Sequence, residues 1–276
     1  MPALRQNGMM DTLPGTLQSL RKGARLSQME LSFRLGVSQR HVSYVESGRA
    51  RPSRGLLLTW LQELNGPLVV RNAAMLQAGY APAFGEARPG DASLTQAEHA
   101  LTQLLSAHDP MPAFVLDASW NVLQFNRGGF WLAGLLIPFL ADQPPGTPLN
   151  MLDAMGHPEG PVAAITNLAE VGPALLAHLR HEASMHPPLI SKVEAYARLL
   201  AERLGPPAKA KHSEPPAPRL APVLTTRFRT SFGELAFFSM FTTFGTPQDI
   251  TLASLKVEHM FAADAATGQI LRENLG

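Results

Sequence analysis

The chain has 276 residues, 45% hydrophobic and 16% charged, with a formal net charge of +1 and no cysteine. This length fits two ordinary domains with a sizeable core, and the missing cysteines exclude disulfides, thiolate metal sites and cysteine nucleophiles. No apolar run approaches the roughly 18 residues of a membrane span, and no basic-then-apolar leader is evident, so the expectation is a cytoplasmic protein without a membrane partner. The small net charge conceals an asymmetry. The first 83 residues carry ten basic and four acidic side chains, a surplus of +6, which leaves −5 for the rest. A basic head joined to an acidic body fits a DNA-binding unit on a body that stays off DNA.

Residues 1–10 show no periodicity. A first helix is expected over residues 12–22, with Leu13, Leu17 and Leu20 on one face. Ser27 and Glu30 then form a capping box that starts a second helix at Gln28. Leu31 and Leu35 share its inner face, and Gly36 stands where it must end at positive φ. Val37 packs inward, Ser38 caps a third helix whose inner face carries Val42 and Val45, and Gly48 closes it. Gln39, Arg40, Ser43 and Tyr44 are left on the outward face. Two short helices with a polar, aromatic outer face on the second make a helix-turn-helix. A basic loop at 49–53 and helices at about 54–64 and 67–77 complete an all-α DNA-binding domain over residues 12–83.

The stretch from Ser27 to Gly48, with Val45-Glu46-Ser47-Gly48-Arg49 and Arg51-Pro52-Ser53, resembles the DNA-binding domain of phage repressors and Cro, the XRE family. That resemblance implies that Gln28 touches a phosphate and that Gln39, Arg40 and Tyr44 face base edges. It places Ser38, His41, Ser43 and Arg49 near the DNA backbone. The implied partner is double-stranded DNA, bound by a homodimer on a two-fold symmetric site.

Residues 84–93 lose periodicity and gain glycine and proline, as a linker does. An amphipathic helix follows at 94–107. Strands at 113–116 and 122–125 flank a turn built from Asp117, Ser119 and Asn121, and Asn126 caps a helix from Arg127. A Pro/Gly-rich excursion spans 142–160, helices are expected at 162–184 and 189–204, and 205–218 is low-complexity. Strands at 223–229, 233–243 and 251–259 and a helix at 264–275 close the chain. Strand, Asp-turn, strand, Asn, helix resembles the opening of a PAS domain. Residues 94–276 are therefore read as an α+β PAS-like ligand-binding and dimerisation domain with a five-stranded antiparallel sheet. His108-Asp-Pro-Met-Pro-Ala-Phe-Val-Leu-Asp117, Asn167, Thr242-Thr-Phe-Gly-Thr-Pro-Gln-Asp249, Phe261-Ala-Ala-Asp264 and Arg71-Asn-Ala-Ala-Met-Leu-Gln-Ala-Gly-Tyr-Ala-Pro82 resemble the MmyB-like regulators. Membership would imply a transcription regulator with an XRE-type head and a ligand-sensing body.

No catalytic, cofactor or metal signature emerges. In His181-Glu-Ala-Ser-Met-His186 the five-residue spacing turns the second imidazole about 140° away from the first, so a zinc-protease reading fails, and the histidines are expected at the surface. A ligand pocket has more support. Leu235, Phe237, Ser239 and Phe241 alternate onto one strand face and Ala236, Phe238 and Met240 onto the other. The candidate lining is Phe114, Trp131, Leu135, Phe228, Phe237, Ser239 and Phe241, which suits a small apolar, fatty-acid-like ligand. Arg227 and His259 are the candidates for a charged head group. The alternative is a ligand-free dimerisation or protein-partner platform.

Overall fold

A computed structural model describes residues 12–87, 90–144, 146–205 and 223–276. The chain divides into two compact units. One reaches to Asp91 and also takes in Thr246–Ala253; the other comprises Ala92–Gly245 and Ser254–Gly276. The first ten residues and the low-complexity stretch from residue 206 lie outside the described residues.

The first unit is built on α1 (Leu13–Gly23), α2 (Gln28–Leu35), α3 (Gln39–Glu46), α4 (Arg54–Glu63) and α5 (Leu68–Gln77). Local chemistry sets the boundaries. Ser27 Oγ accepts from Glu30 N at 3.1 Å, and the Glu30 carboxylate accepts from Ser27 N at 2.7 Å, so two orphan donors of α2 are satisfied reciprocally. Ser38 and Ser53 cap α3 and α4 with one bond each, accepting from His41 N and Leu56 N. Gly36 ends α2 at φ 66°, a left-handed conformation that costs other residues about 1–2 kcal/mol. Leu17, Leu31, Val42, Leu57, Trp60 and Met75 meet in one core. Each such burial contributes about 1.5–3 kcal/mol, which holds α2 and α3 on the common core.

The second unit opens with α6 (Thr95–His108) and contains β1 (Ala113–Leu116), β2 (Val122–Phe125), β3 (Thr226–Thr230), β4 (Gly233–Thr243) and β5 (Lys256–Ala262). They form one antiparallel sheet in the order β2-β1-β5-β4-β3. Between β2 and β3 lie α7 (Arg127–Leu136), α8 (Met151–Gly156), α9 (Pro161–Ala164), α10 (Leu168–Met185) and α11 (Ile190–Leu204). The chain passes through α12 (Ile250–Ser254) between β4 and β5, and ends in α13 (Ala265–Leu275). This is the expected PAS-like α+β fold. Its N-terminal half turns on Asn126, whose Oδ1 accepts from Ala113 N and Gly129 N, and whose Nδ2 donates to Leu105 O and Met111 O. One buried amide thereby joins the end of α6, the start of β1 and the first turn of α7. Close approach requires glycine beside it, because a Cβ on Gly128 would lie 2.3 Å from Pro110 O.

Register assigns the two faces of the sheet. Phe114, Leu116, Phe237, Ser239, Phe241, Lys256, Glu258 and Met260 share one face, and Leu132, Leu179, Val193 and Tyr196 from the helices join its buried part in one core. On the other face, Leu101 and Leu104 of α6 approach Thr242 and Val257 around a cavity of about 120 Å³.

Several expected elements shift. The helix predicted at 162–184 breaks into α9 and α10, because residues 165–167 are drawn onto β3. Thr166 N donates to Arg227 O at 2.9 Å, Asn167 Nδ2 donates to Thr225 O at 2.8 Å, and Arg227 N donates to Asn167 Oδ1 at 3.1 Å. β3 begins at Thr226 rather than Val223. The last strand begins at Lys256 rather than Thr251, since Asp249 Oδ1 accepts from Thr251 N and Leu252 N and starts a helical turn there. The excursion at 142–160 contains α8, capped by Asn150 through Asp153 N. The predicted linker is partly built into the first unit: Gly85 bridges to Asp249, Asp249 Oδ2 accepts from Ala87 N at 2.8 Å, and Thr251 Oγ1 donates to Ala87 O at 2.7 Å.

Candidate DNA interface and ligand-binding face

The eight predicted DNA-contacting residues fall on α2, α3 and the turns beside them. Ser38, Gln39, Arg40 and Arg49 are exposed, whereas Gln28, His41, Ser43 and Tyr44 are half-buried. Arg40 Nε donates to Tyr44 Oη at 2.8 Å, and its guanidinium lies 5.1 Å from the Tyr44 ring centroid. Arg49 approaches the same ring at 6.0 Å. Tyr44 thus steadies two cations, lowering the side-chain entropy that Arg40 loses on binding. Gln28 is partly committed elsewhere, since its Nε2 donates to Glu46 Oε2 at 2.9 Å. That leaves one amide hydrogen for a phosphate.

Periodicity did not single out the residues that orient this surface. Arg21 and Glu46 form an ion pair whose side chains are 11% and 1% exposed, and Gln18 Nε2 donates to Glu46 O. Arg51 lies over Tyr80 at 4.7 Å, and Tyr80 Oη donates to Pro52 O, which pins the basic loop. The advance signal for Glu46 was its place in the Val45-Glu46-Ser47-Gly48-Arg49 motif, as an acidic residue between Arg40 and Arg49.

The seven predicted ligand residues do not form one lining. Phe114, Phe228 and Phe237 are buried in the core. Trp131 and Leu135 edge an open apolar groove of about 710 Å³ with Phe125, Phe130 and Leu275. Ser239 and Phe241 remain exposed on the second half of β4, on the same face as buried Phe237. The two head-group candidates are corrected by register. Arg227 pairs with Ala236 and His259 with Met240, placing both on the opposite face from Phe241. Arg227 is spent on an exposed ion pair with Glu234. His259 is buried beside His108 and bonded to Thr242 Oγ1, and burial, then the His108 charge, lowers its pKa.

The polar groups on the Phe241 face are others. Lys256 Nζ donates to both Glu182 oxygens at 2.8 Å and sits 3.8 Å from the Trp120 ring centroid. Trp120 Nε1 donates to Glu182 Oε2 at 2.7 Å, and His178 lies 3.1 Å from Glu182 Oε1. Burial opposes the Glu182 charge, but Lys256 and then Trp120 and His178 override it and hold the carboxyl below its ordinary range. Glu258 lies directly across from Phe241 in the sheet, and its Oε1 accepts from Ser239 Oγ at 2.7 Å. Burial raises its pKa against the pull of Ser239 and Lys256. Among the described residues no group of three or more His, Cys, Asp and Glu side chains is arranged to hold a metal, and no helix is long and apolar enough to cross a membrane.

A family model described as helix-turn-helix matches residues 17–70, and one described as the MmyB-like transcription regulator ligand binding domain matches residues 97–273. No curated protein matches the chain. A helix-turn-helix head followed by such a PAS-like body defines a DNA-binding transcription regulator with a ligand-binding domain. The chain belongs to the MmyB-like transcription regulators.

Proposed function

We propose that residues 12–83 bind double-stranded DNA as a homodimer, with α3 in the major groove, and that residues 94–276, joined through 84–93, sense an apolar, fatty-acid-like ligand. The protein works without catalysis, in the cytoplasm. Arg40 and Gln39 read base edges, an arginine suiting guanine and a glutamine adenine. Tyr44 supports them, and Gln28, Ser38, His41, Ser43 and Arg49 hold the DNA backbone. What carries this reading is the exposure of Gln39 and Arg40 at the first turn of a capped α3, with Arg40 bonded to Tyr44. Arg40→Ala, measured by fluorescence anisotropy, should weaken the preferred site by about 1–3 kcal/mol and relax its specificity. Equal loss on random DNA would make Arg40 a phosphate contact instead.

The ligand reading is supported by the opening of β4 at Ser239 and Phe241 and by the apolar groups around it. A route to the head follows from chain connectivity: the chain leaves β4, enters 246–253, and is tied there through Asp249 to Gly85 and Ala87. A ligand that shifts β4 or β5 pulls on that segment. The burial of Phe114, Phe228 and Phe237 favours a second reading, a ligand-free dimerisation platform. Native mass spectrometry of the protein as purified separates the two. About one amphiphile per subunit supports sensing, and a clean apo dimer supports the platform.

A further inference from the structure

The helix α7 is apolar on both sides. Leu132, Ala133 and Leu136 are buried in the core, while Phe130, Trp131, Gly134 and Leu135 form a second stripe on the opposite side. A helix apolar all round calls for cover on both sides. Here the second stripe lines the open groove of about 710 Å³, walled by Phe125 of β2 and Leu275 of α13. Phe130 is 68% exposed and stacks on Phe125 with ring centroids 5.7 Å apart. Two residues of this groove serve no structural end. A Cβ on Gly134 would meet nothing within 4 Å, so no packing demands glycine inside the helix, where only proline is less favourable. What the glycine does is leave the groove floor open. Arg127 opens α7, where the positive end of the helix dipole opposes a cation. Its guanidinium lines the groove and has neither ion-pair nor hydrogen-bond partner among the described residues. Asp109 and Asn126 accept from the amides of buried Gly128 and Gly129, which leaves the outer side of this helix end to Arg127.

Resting on the ligand-sensing reading above, we propose that this groove is the ligand site and takes a single-chain amphiphile whose carboxylate pairs with Arg127. The alkyl chain runs over Gly134 between Trp131 and Leu135, a path of about 12 Å from Arg127 to Leu135 at about 1.5 Å per residue. The groove has the volume of a small-molecule site, about 300–1,000 Å³, and neither it nor the cavity beside α6 is lined by Ser239 or Phe241. It also touches the strands that lead toward residues 246–253. Trp131 packs on Phe232, in the turn that feeds β4, with ring centroids 5.3 Å apart, and Leu275 belongs to the helix that follows β5.

The test is calorimetric titration of the full chain with dodecanoate, dodecanol and dodecyltrimethylammonium below their micellar concentrations. Dodecanoate should bind at one per chain and at least about tenfold more tightly than dodecanol, a difference worth about 1.4 kcal/mol, with the cation weakest. Arg127→Ala should bring dodecanoate down to the affinity of dodecanol. Gly134→Leu fills the floor and should weaken dodecanoate and dodecanol alike, by at least about tenfold. Circular dichroism checks that both variants fold; should one fail, the other still decides. Dodecanoate binding unchanged in the folded variants overturns the groove and leaves ligand sensing intact. Failure of all three amphiphiles to bind overturns both. Sedimentation of the same samples covers the other occupant: a wild-type dimer that Gly134→Leu dissociates would make the groove an interface between copies and overturn the proposal.

Discussion

Arg21 Nε and Nη2 reach Glu46 Oε1 and Oε2 at 2.7 and 2.8 Å, a bidentate pair joining α1 to the last residue of α3. Arg21 Nη1 also donates to Leu26 O, and Gln28 Nε2 to Glu46. The angle at which α3 is presented therefore depends on a buried charge. Glu46→Ala leaves Arg21 buried without its partner and should cost about 3–5 kcal/mol. Arg21→Met combined with Glu46→Leu should cost less than either single change, because no uncompensated charge remains. Urea denaturation followed by tryptophan fluorescence reads this in the full chain. Simple additivity of the two single losses would count against it.

Tyr44→Phe tests whether Arg40 is pre-ordered. The ring face stays and the hydroxyl that accepts from Arg40 Nε goes. Loss of that hydrogen bond should weaken DNA binding by about 0.5–1.5 kcal/mol, less than Arg40→Ala. Anisotropy on one operator fragment compares the two variants directly.

Asn126→Ala removes four hydrogen bonds at once and leaves the buried amides of Ala113 and Gly129 without an acceptor. At about 1–3 kcal/mol for a buried unsatisfied group, the expected loss is about 3 kcal/mol. Hydrogen exchange should show protection falling first at Ala113 and Gly129.

Glu258 gives a pH signature with a definite sign. Its pKa is raised in the folded protein, so the native state holds more protons than the unfolded chain above the ordinary carboxylate pKa. Its contribution to stability is fully present below that value and falls as pH rises through the folded pKa. Glu258→Gln removes the dependence. The variant should therefore gain on wild type as pH rises, with the difference constant below about pH 4. Thermal melts across pH 4–8 measure it; parallel curves would contradict the assignment.

The helix-turn-helix was legible because its instructions are local. Ser27 and Glu30 stand three residues apart, Gly36 supplies the positive φ, and Val42 and Val45 share one helical face. The hairpin around Asp117 and the cap at Asn126 are short-range for the same reason. Where expectation failed, the deciding partner was distant. Asn167 breaks a helix by bonding Thr225 and Arg227, and Asp249 turns a predicted strand start into α12 while binding Ala87 far back in the chain.

Sequence alone determined most of the element types and the order of two early and three late strands, which follow from periodicity and capping, while the family came from the resemblance of its motifs. It could not say which strand face was interior. In Leu255-Lys-Val-Glu258 the alternation suggests that Lys256 and Glu258 point to solvent, because Leu255 and Val257 lie at the other parity. A sheet covered by helices on one face and by α6 on the other has no solvent side in its centre, so both parities are enclosed. Only the tertiary structure put Lys256 against Glu182 and Trp120 and buried Glu46, the last residue of α3, against Arg21 of α1. Each of those placements depends on the low dielectric and the partners that packing of distant segments brings together.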